Sequence, residues 1–246
     1  MKKILVLGAT SGVAQAFCRA ALRRGYTPVL AARSLERVQL VARDLEIRTG
    51  QTGIACVEFD AAAFDTHDVF VRAALAQGPF AGCFVACGAM HEQSLAEADW
   101  KLSCEMIDAN FTGIVSVLNR LAPLLAAAEG GAFISCITSV AGDRGRPSNF
   151  IYGATKAGLN AYLEGLRARW HAHGLFVQTI KLGPVDTPMN AGVARTPFMV
   201  SAEVAAEKIF RALEACREVA YVPGRWAIIM AVIRLLPRFV FKRMKL

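Results

Sequence analysis

A tyrosine and a lysine four residues apart are the first residues of this sequence that could do chemistry together. Tyr152 and Lys156 flank the tripeptide Gly-Ala-Thr, and on a helix residues with this spacing share one face. An ammonium beside a phenol stabilises the phenolate, so the phenol exchanges its proton more readily near neutral pH. Ser139 lies thirteen positions upstream of the tyrosine, just past an apolar run, where its hydroxyl can hold a carbonyl oxygen. The set predicts proton transfer at an oxygen that changes between ketone and alcohol.

Asn110 is a fourth candidate for this site. It lies inside a long stretch with apolar residues at helical spacing, where asparagine is a poor helix former. Its alternative role is that of a buried polar residue bonded to a helix carbonyl. The alternative for Tyr152 and Lys156 is a core tyrosine beside a surface lysine. The combination of Asn110, Ser139, Tyr152 and Lys156 favours a catalytic site over these separate explanations.

A glycine-containing turn follows the first apolar run of the chain. Gly8, Thr10, Ser11, Gly12 and Val13 connect that run to a helical stretch. Glycines let the backbone approach a pyrophosphate, and the helix amino terminus offers free N–H groups and partial positive charge. The spacing differs from Gly-x-Gly-x-x-Gly, so a helix cap of small packing residues is the alternative. The position directly after a strand favours a nucleotide site.

The next two apolar runs end in residues that can read an adenosine. Arg33 follows the second run, where an acid would accept from a ribose 2'-hydroxyl and an arginine would pair with a 2'-phosphate. Arg33 without an acid favours NADP(H) and leaves NAD(H) open, since the residue can also be the solvated start of a helix. Asp60 and Ala61 follow the third run, and Asp60 is expected to accept from the adenine amino group. An ordinary helix cap is the alternative for Asp60.

Short apolar runs alternate with helical stretches along the chain. The predicted strands are Ile4–Leu7, Pro28–Ala32, Ile54–Phe59, Cys83–Ala86, Ala132–Ile137 and Phe176–Leu182. The predicted helices are Ala14–Arg24, Leu35–Arg48, Trp100–Leu125 and Tyr152–His171. This alternation predicts the α/β class, with a Rossmann-type doubly wound parallel sheet in one domain over residues 1–246. Such sheets bind ligands at the carboxyl ends of their strands, where the residues above fall.

The composition predicts a cytoplasmic chain without a metal site. The seven cysteines are scattered and contain no Cys-x-x-Cys pair, which is typical of a reducing compartment. None of the four histidines, His67, His91, His171 and His173, has metal-ligand spacing to a cysteine or acid cluster. No apolar stretch reaches the roughly 18 residues that a membrane-spanning helix needs.

The net charge of +8 is concentrated near the carboxyl terminus, in residues 224–246, which we call the tail. Six cations follow the last acid, Glu218: Arg225, Arg234, Arg238, Lys242, Arg243 and Lys245. No recognition helix, zinc finger or RNA-binding strand motif accompanies them, so we expect no nucleic-acid partner.

The spacing in the tail predicts an amphipathic helix that Pro237 splits or kinks. Its basic face comprises Arg234, Arg238, Lys242 and Lys245, and its apolar face comprises Ile228, Ile229, Val232, Leu235, Leu236, Phe239 and Val240. Such a segment suits the inner surface of a membrane. The alternative is an apolar face packed on the core or on a subunit partner.

With these motifs together, the sequence resembles the short-chain dehydrogenase/reductase family over nearly its full length. The resemblance implies a water-linked proton relay at Asn110, substrate orientation by Ser139 and acid/base work by Tyr152. Lys156 would bind the cofactor ribose and tune the tyrosine. The resemblance also implies a homo-oligomer assembled through long central helices, and a substrate lid over residues 187–200.

Further cofactor contacts are implied where this sequence departs from the family pattern. The family's Asn-Ala-Gly after the fourth strand reads here as Ala86-Cys87-Gly88, which assigns contacts to Ala86 and Gly88. Its Pro-Gly after the sixth strand reads as Leu-Gly, and the residues that follow include the contacts Val185 and Thr187. Cys87 is expected to be a small buried hydrophobe rather than a reactive thiol.

A narrower resemblance is carried by residues 139–152, 165–169, 179–181 and 241–246. These look like the reductases of decaprenylphosphoryl-2-keto-erythro-pentose, which reduce a 2-keto sugar carried on a polyprenyl phosphate for cell-wall glycans. The resemblance implies a flavin-dependent oxidase as a partner. Arg144 and Arg146, just before Tyr152, can pair with a phosphate, and a solvated basic loop is the alternative.

Two other functions remain open for the sequence. One is a soluble reductase of small ketones or aldehydes on the same scaffold. The other is a non-catalytic protein that senses the cofactor, and the intact set of Asn110, Ser139, Tyr152 and Lys156 argues against it, because a sensor needs no proton transfer.

Overall fold

Parallel strands form the centre of the structure, a computed structural model that describes residues 2–188 and 198–244. The strands are β1 (Lys2–Leu7), β2 (Tyr26–Ala32), β3 (Cys56–Glu58), β4 (Phe80–Val85), β5 (Ala132–Ser139), β6 (Leu175–Leu182), β7 (Val185–Asp186), β8 (Val200–Ser201) and β9 (Val219–Val222). Seven of them form a parallel sheet in the order β3-β2-β1-β4-β5-β6-β9, and β7 pairs with β8. The strand order reverses between β1 and β4, so the predicted Rossmann-type doubly wound sheet is confirmed.

Helices cover both faces of this sheet. They are α1 (Gly12–Arg23), α2 (Leu35–Thr49), α3 (His67–Leu75), α4 (Gln93–Ala98), α5 (Trp100–Ile107), α6 (Gly113–Ala126), α7 (Phe150–Trp170), α8 (Ala202–Glu214), α9 (Arg225–Leu235) and α10 (Arg238–Phe241). Their ends follow local chemistry: the Ser34 hydroxyl accepts from the N–H of Arg37 to start α2, and Gly50 ends it with φ +71°.

All six predicted strands and all four predicted helical stretches are present, with shifted ends. The stretch predicted over Trp100–Leu125 is not one α-helix, because a π-helical turn at Asp108–Thr112 separates α5 from α6. The sequence analysis predicts neither α3, α4, α8 nor β9. Of these elements, α3, α4 and β9 are short, with nine, six and four residues, and the buried face of α8 is made largely of alanine.

The apolar core has two parts, one on each face of the sheet. On one face, Phe17 of α1 is stacked between Phe84 of β4 and Phe210 of α8, with ring centroids 3.7 Å and 4.3 Å apart. At the rim, Arg24 pairs with Glu207 at 2.9 Å, and its hydrogen bond, together with that of Arg23, lowers the pKa of Glu207 to about 2. These contacts fix α8 to α1 and so fix the chain before it enters β9.

The tail forms the two short helices α9 and α10, and the predicted break at Pro237 is confirmed. Met230 is fully buried, whereas Ile228, Val232, Leu235 and Phe239 are 73%, 57%, 83% and 63% exposed. Most of the predicted apolar face therefore points away from the core. Lys245 of the predicted basic face lies outside the described residues. No helix within residues 2–188 and 198–244 is long and apolar enough to cross a membrane.

A buried ionic network joins the ends of β5, β6 and β9. Lys181 Nζ lies 2.5 Å from Oδ1 of Asp143, and the Tyr221 hydroxyl donates to Oδ2 of the same carboxylate at 2.6 Å. The Asp143 side chain is 2% exposed. Burial and the bond to Asp143 raise the pKa of Tyr221, which keeps its phenol protonated and donating. Asp143 ends the 3-10 turn Val140–Asp143, so the network fixes the start of the loop that leads to α7.

Removing the cation of this network should destabilise the fold. In Lys181→Met the Asp143 carboxylate would lose its counter-charge while it stays buried, which costs about 3 kcal/mol of unfolding free energy. Chemical denaturation of the purified variant measures this, with Lys208→Met on the exposed face of α8 as the matched control. A Lys181→Met protein as stable as the Lys208→Met control would contradict the assignment.

Candidate active site

One crevice of about 680 Å³ opens at the carboxyl ends of the strands, where the strand order reverses. Its walls include every residue that the sequence analysis assigns to the cofactor: Gly8, Thr10, Ser11, Gly12, Val13, Arg33, Asp60, Ala61, Ala86, Gly88, Tyr152, Lys156, Val185 and Thr187. Ser139 lines it as well. A crevice of this size is in the range of small-molecule sites.

The glycine turn after β1 fits a phosphate-bearing ligand. Gly8 has φ +78°, and a Cβ there would lie 2.8 Å from the carbonyl carbon of Ala86 and from the nitrogen of Cys87. A side chain is therefore excluded where β1 and β4 end side by side. The Ser11 side chain makes no capping hydrogen bond to α1, so the first N–H groups of this helix remain available at the crevice.

Arg33 and Asp60 line the part of the crevice beyond β2 and β3. The exposed Arg33 side chain has no ion pair or hydrogen bond with any residue in the described part of the chain. Asp60 Oδ1 accepts from the N–H of Ala62 at 3.0 Å, so one carboxylate oxygen serves the turn, as the capping alternative supposed. Arg33 is thus available to an anionic group, whereas Asp60 is partly committed.

Ser139, Tyr152 and Lys156 come together from two elements. Ser139 ends β5, where its Oγ accepts from the N–H of Ala141 at 3.1 Å and keeps its own hydrogen to donate. Tyr152 and Lys156 lie one turn apart on α7, with the lysine Nζ 5.7 Å from the tyrosine ring centroid. Lys156 is 2% exposed and makes no hydrogen bond or ion pair within residues 2–188 and 198–244. An ammonium at the crevice wall without a partner among the described residues fits a ligand hydroxyl pair such as a ribose.

Asn110 stands behind this group, in the π-helical turn at Asp108–Thr112, and is fully buried. Its amide accepts from the N–H of Ala89 at 2.7 Å and donates to the carbonyl of Ala89 at 2.8 Å. It also donates to Thr155 Oγ1 on α7 at 3.3 Å. The carbonyl that accepts from Asn110 therefore belongs to the loop after β4, whereas the alternative role of Asn110 required a helix carbonyl. A π-helical turn inside a helix is frequent at functional sites.

Gly88 and Cys87 show how tightly this loop is packed. A Cβ on Gly88 would lie 3.1 Å from Asn110 Oδ1 and 3.5 Å from Lys156 Nζ, so Asn110 and Lys156 meet around this glycine. Burial raises the pKa of the Cys87 thiol to about 12, which keeps it protonated at neutral pH. Cys87 is therefore suited to be part of the wall and unsuited to nucleophilic attack.

Trp226 and Asn149 are not predicted from the sequence as crevice residues, whereas Arg146 is expected at the mouth of the site. Trp226 of α9 reaches the crevice because β9 pairs with β6 and brings the tail back to the strand ends. Arg146 and Asn149 line the crevice, whereas Arg144 turns away. The Arg144 guanidinium donates to the carbonyl of Ile233 and lies 3.8 Å from the Phe241 ring centroid. Residues 189–197 of the predicted lid lie outside the described residues.

The fold and the crevice together define a dinucleotide-dependent oxidoreductase. The sequence matches the short chain dehydrogenase family over residues 2–197. An uncharacterised oxidoreductase of Mycobacterium tuberculosis is 32% identical over 242 residues, which are 98% of this chain and 96% of that protein. The chain therefore belongs to the short-chain dehydrogenase family, as the resemblance predicted, and is an NAD(P)-dependent oxidoreductase.

Solved structures share the fold at lower identity. A short-chain dehydrogenase from Sphingobium yanoikuyae in complex with NADPH has a TM-score of 0.81 at 20% identity, with 97% of each chain covered. An alcohol dehydrogenase from the archaeon Thermococcus sibiricus, in complex with 5-hydroxy-NADP, has a TM-score of 0.79 at 22% identity, with 90% of this chain and 95% of that chain covered.

Proposed function

We propose that this protein reduces a ketone with NADPH and that Tyr152 supplies the proton. The observation that carries the proposal is the composition of one crevice. Ser139, Tyr152 and the otherwise unpartnered Lys156 line the same cavity as the glycine turn after β1. A cofactor held by that turn and a carbonyl held by Ser139 would share this cavity.

The residues of this chain then divide the work. The bound nicotinamide supplies the hydride. The Tyr152 hydroxyl donates its proton to the carbonyl oxygen, and the Ser139 hydroxyl donates a hydrogen bond to the same oxygen. Lys156 lines the same crevice, where its ammonium would bind ribose hydroxyls and offset the negative charge that Tyr152 carries after donating its proton. Asn110 holds the loop at Ala89 against α7, and the proton relay that the family resemblance assigns to it would start from this position.

The cofactor preference follows from Arg33. Its guanidinium has no partner among the described residues and lines the crevice beyond β2, so a 2'-phosphate would give it a charge-assisted pair. The structural relatives from Sphingobium and Thermococcus are named as complexes with NADPH and 5-hydroxy-NADP. NADP(H) is therefore the proposed cofactor, with NAD(H) as the alternative.

The proposed substrate is a 2-keto sugar on a polyprenyl phosphate, supplied by a flavin-dependent oxidase. Support comes from the narrower sequence resemblance and from the tail, which combines a crevice residue, Trp226, with the exposed apolar side chains of Ile228, Val232 and Leu235. A lipid-linked sugar could reach the crevice beside such a surface. A soluble reductase of small ketones is the second candidate, favoured by the family alone.

The tail is proposed to dock on the inner surface of a membrane. The cations Arg225, Arg234, Arg238, Lys242 and Arg243 are all exposed, and none is in an ion pair with a described residue. The exposed side chains of Ile228, Val232, Leu235 and Phe239 lie among them. An apolar surface bordered by cations suits anionic lipid, with roughly 1 kcal/mol per charge close to the surface. Copies of the chain are further proposed to assemble through the long helices α6 and α7.

Removing the phenolic oxygen should abolish turnover without unfolding the protein. Tyr152→Phe loses only the proton donor, so the rate should fall on the order of a hundredfold or more. NADPH oxidation with any carbonyl that the wild-type protein turns over measures this, and NADPH titration checks the crevice. Tyr162→Phe, also on α7 but bonded to Asn119, is the matched control and should stay active. Near-normal turnover by Tyr152→Phe would refute the assignment.

Reversing the charge at the ribose should change the cofactor preference. Arg33→Asp repels a 2'-phosphate and accepts from a 2'-hydroxyl, so the ratio of NADPH to NADH affinity should fall about tenfold or more. Titration of both cofactors measures the ratio, and Arg37→Asp in α2 controls for a general charge effect. An unchanged ratio in Arg33→Asp would mean that Arg33 does not contact the ribose.

Vesicle binding should depend on the charges of the tail. The full-length protein should sediment with anionic vesicles and not with neutral ones, and changing Arg234, Arg238 and Lys242 to Gln should abolish this. The matched control changes the exposed Arg37, Arg43 and Arg72, outside the tail, to Gln. Equal sedimentation of both variants, or none by the wild-type protein, would leave the tail as a packing or subunit surface.

A further inference from the structure

Three polar atoms in the wall of the crevice are buried without a hydrogen-bond partner. They are Nε of Arg146, Oδ1 of Asn149 and Nε1 of Trp226. One more side-chain atom in the described part of the chain shares this condition, Oδ1 of Asn160, and its residue does not line the crevice. Buried polar atoms without partners are rare, and each costs about 1–3 kcal/mol of desolvation. The two donors among them, Nε of Arg146 and Nε1 of Trp226, point to a ligand with acceptor atoms, and Oδ1 of Asn149 points to a donor such as a hydroxyl on that ligand.

The guanidinium of Arg146 also lacks a counter-charge. Burial lowers the pKa of Arg146, and no ion pair within residues 2–188 and 198–244 offsets that effect. The carboxylates of Asp143 and Glu105 are already engaged with other residues. Asp143 is bound by Lys181 and Tyr221, and Glu105, which lines the crevice, lies 3.1 Å from His91 Nε2.

The two arginines of the loop before α7 have different roles in the structure. Arg144 is bound to the tail through the Ile233 carbonyl and the Phe241 ring, so it cannot serve a ligand in the crevice without releasing these contacts. Arg146 faces the crevice and has no such contact with any described residue. The alternative of a solvated basic loop therefore does not describe Arg146, which is half-buried and unpaired.

The indole of Trp226 packs against Gly183 just after β6, where only a glycine leaves room for it. A Cβ on Gly183 would overlap the indole Nε1 and Cδ1 atoms, so the indole lies directly against this glycine. The helix that carries Trp226, α9, packs on the 3-10 turn that follows Ser139. Trp226 thereby lines the same crevice as Ser139 and Tyr152.

We propose that Arg146 binds an anionic group of the substrate, that the Trp226 indole N–H donates a further hydrogen bond to it, and that Asn149 Oδ1 accepts from a hydroxyl of the same substrate. The proposal rests on the proposed carbonyl reduction, since that identifies the ligand as the substrate. A guanidinium presents planar paired donors that match the oxygens of a carboxylate, a sulfonate or a phosphate. The indole N–H is a donor only, as an anion requires, whereas the unpartnered oxygen of Asn149 is an acceptor and suits a hydroxyl beside that anion. A phosphodiester and a free acid both present such oxygens, so either is a source of the anionic group.

Anion binding tests this site without any need for turnover. The protein is saturated with NADP⁺, so that Arg33 is occupied, and is titrated by calorimetry with inorganic phosphate, dimethyl phosphate, acetate and methanesulfonate. Arg146→Gln should weaken the tightest of these about tenfold or more. Trp226→Phe removes one donor and should weaken it less. Arg43→Gln, an exposed arginine of α2, is the matched control.

The same probes separate the sources of the anion. Preference for dimethyl phosphate indicates the phosphodiester of a lipid-linked sugar, and preference for acetate or methanesulfonate indicates a small free acid. Inorganic phosphate as the tightest probe indicates a phosphomonoester. Equal affinity of the wild-type and Arg146→Gln proteins for every probe, or no binding of any probe to the wild-type protein, would overturn the proposal.

Anion binding by Arg146 and carbonyl reduction by Tyr152 can be tested separately. Tyr152→Phe should bind the preferred anion as the wild-type protein does, because the phenol is no part of the anion site. For any carbonyl that is turned over, Arg146→Gln should raise KM for the charged member of a matched pair, such as dihydroxyacetone phosphate against dihydroxyacetone. If KM rose equally for the charged and the uncharged compound, Arg146 would act in the fold or in the chemistry and not in anion binding.

Discussion

The loop that follows β4 is the constraint on which the rest of the site depends. Gly8 approaches this loop so closely from one side that no side chain fits between the two backbones. From the other side, Asn110 holds both backbone groups of Ala89. Asn110 also reaches Thr155 on the helix of Tyr152 and Lys156. One loop therefore links the glycine turn to α7, and its position sets the distance between the turn proposed to hold the cofactor and the proposed proton donor Tyr152.

The tail belongs both to the crevice and to the surface. Trp226 lines the crevice and Met230 is buried, whereas Ile228, Val232 and Leu235 of the same helix are exposed. Arg144 binds the end of this helix and stacks on Phe241, so the loop before Tyr152 is packed directly on the tail. A substrate with an apolar portion could follow this surface towards the crevice, since apolar and polar contacts would be adjacent.

The cations of the crevice are arranged for more than one anion. Arg33, Lys156 and Arg146 each line it, and none has an ion pair with a described residue. Several arginines outside the crevice are in ion pairs, as Arg24 is with Glu207 and Glu214, and those of the tail are exposed to solvent. Cations that cost desolvation and have no protein partner are expected where a ligand supplies the counter-charge. Part of the net positive charge is therefore explained by the crevice and not by the tail.

The sequence by itself determined the class of fold and the composition of the site. Alternating strand and helix periods specify parallel strands, and the loops at their carboxyl ends must meet because every crossover returns the chain to the same side. Ser139, Tyr152 and Lys156 are close in the sequence, so local spacing is enough to bring them together. The crevice accordingly contains every cofactor residue expected from the sequence.

Only the tertiary structure decided which arginine of the loop before Tyr152 faces the crevice, and that Trp226 joins it. These depend on the pairing of β9 with β6 and on the contact of Arg144 with Ile233, which join residues 40 and 89 positions apart. Asn110 is similar, because its partner Ala89 belongs to a different element. Local periodicity reports which face of an element is buried, but not which distant side chain occupies the space beside it. Those contacts are set by packing density and by the pairing of buried polar groups across the whole chain.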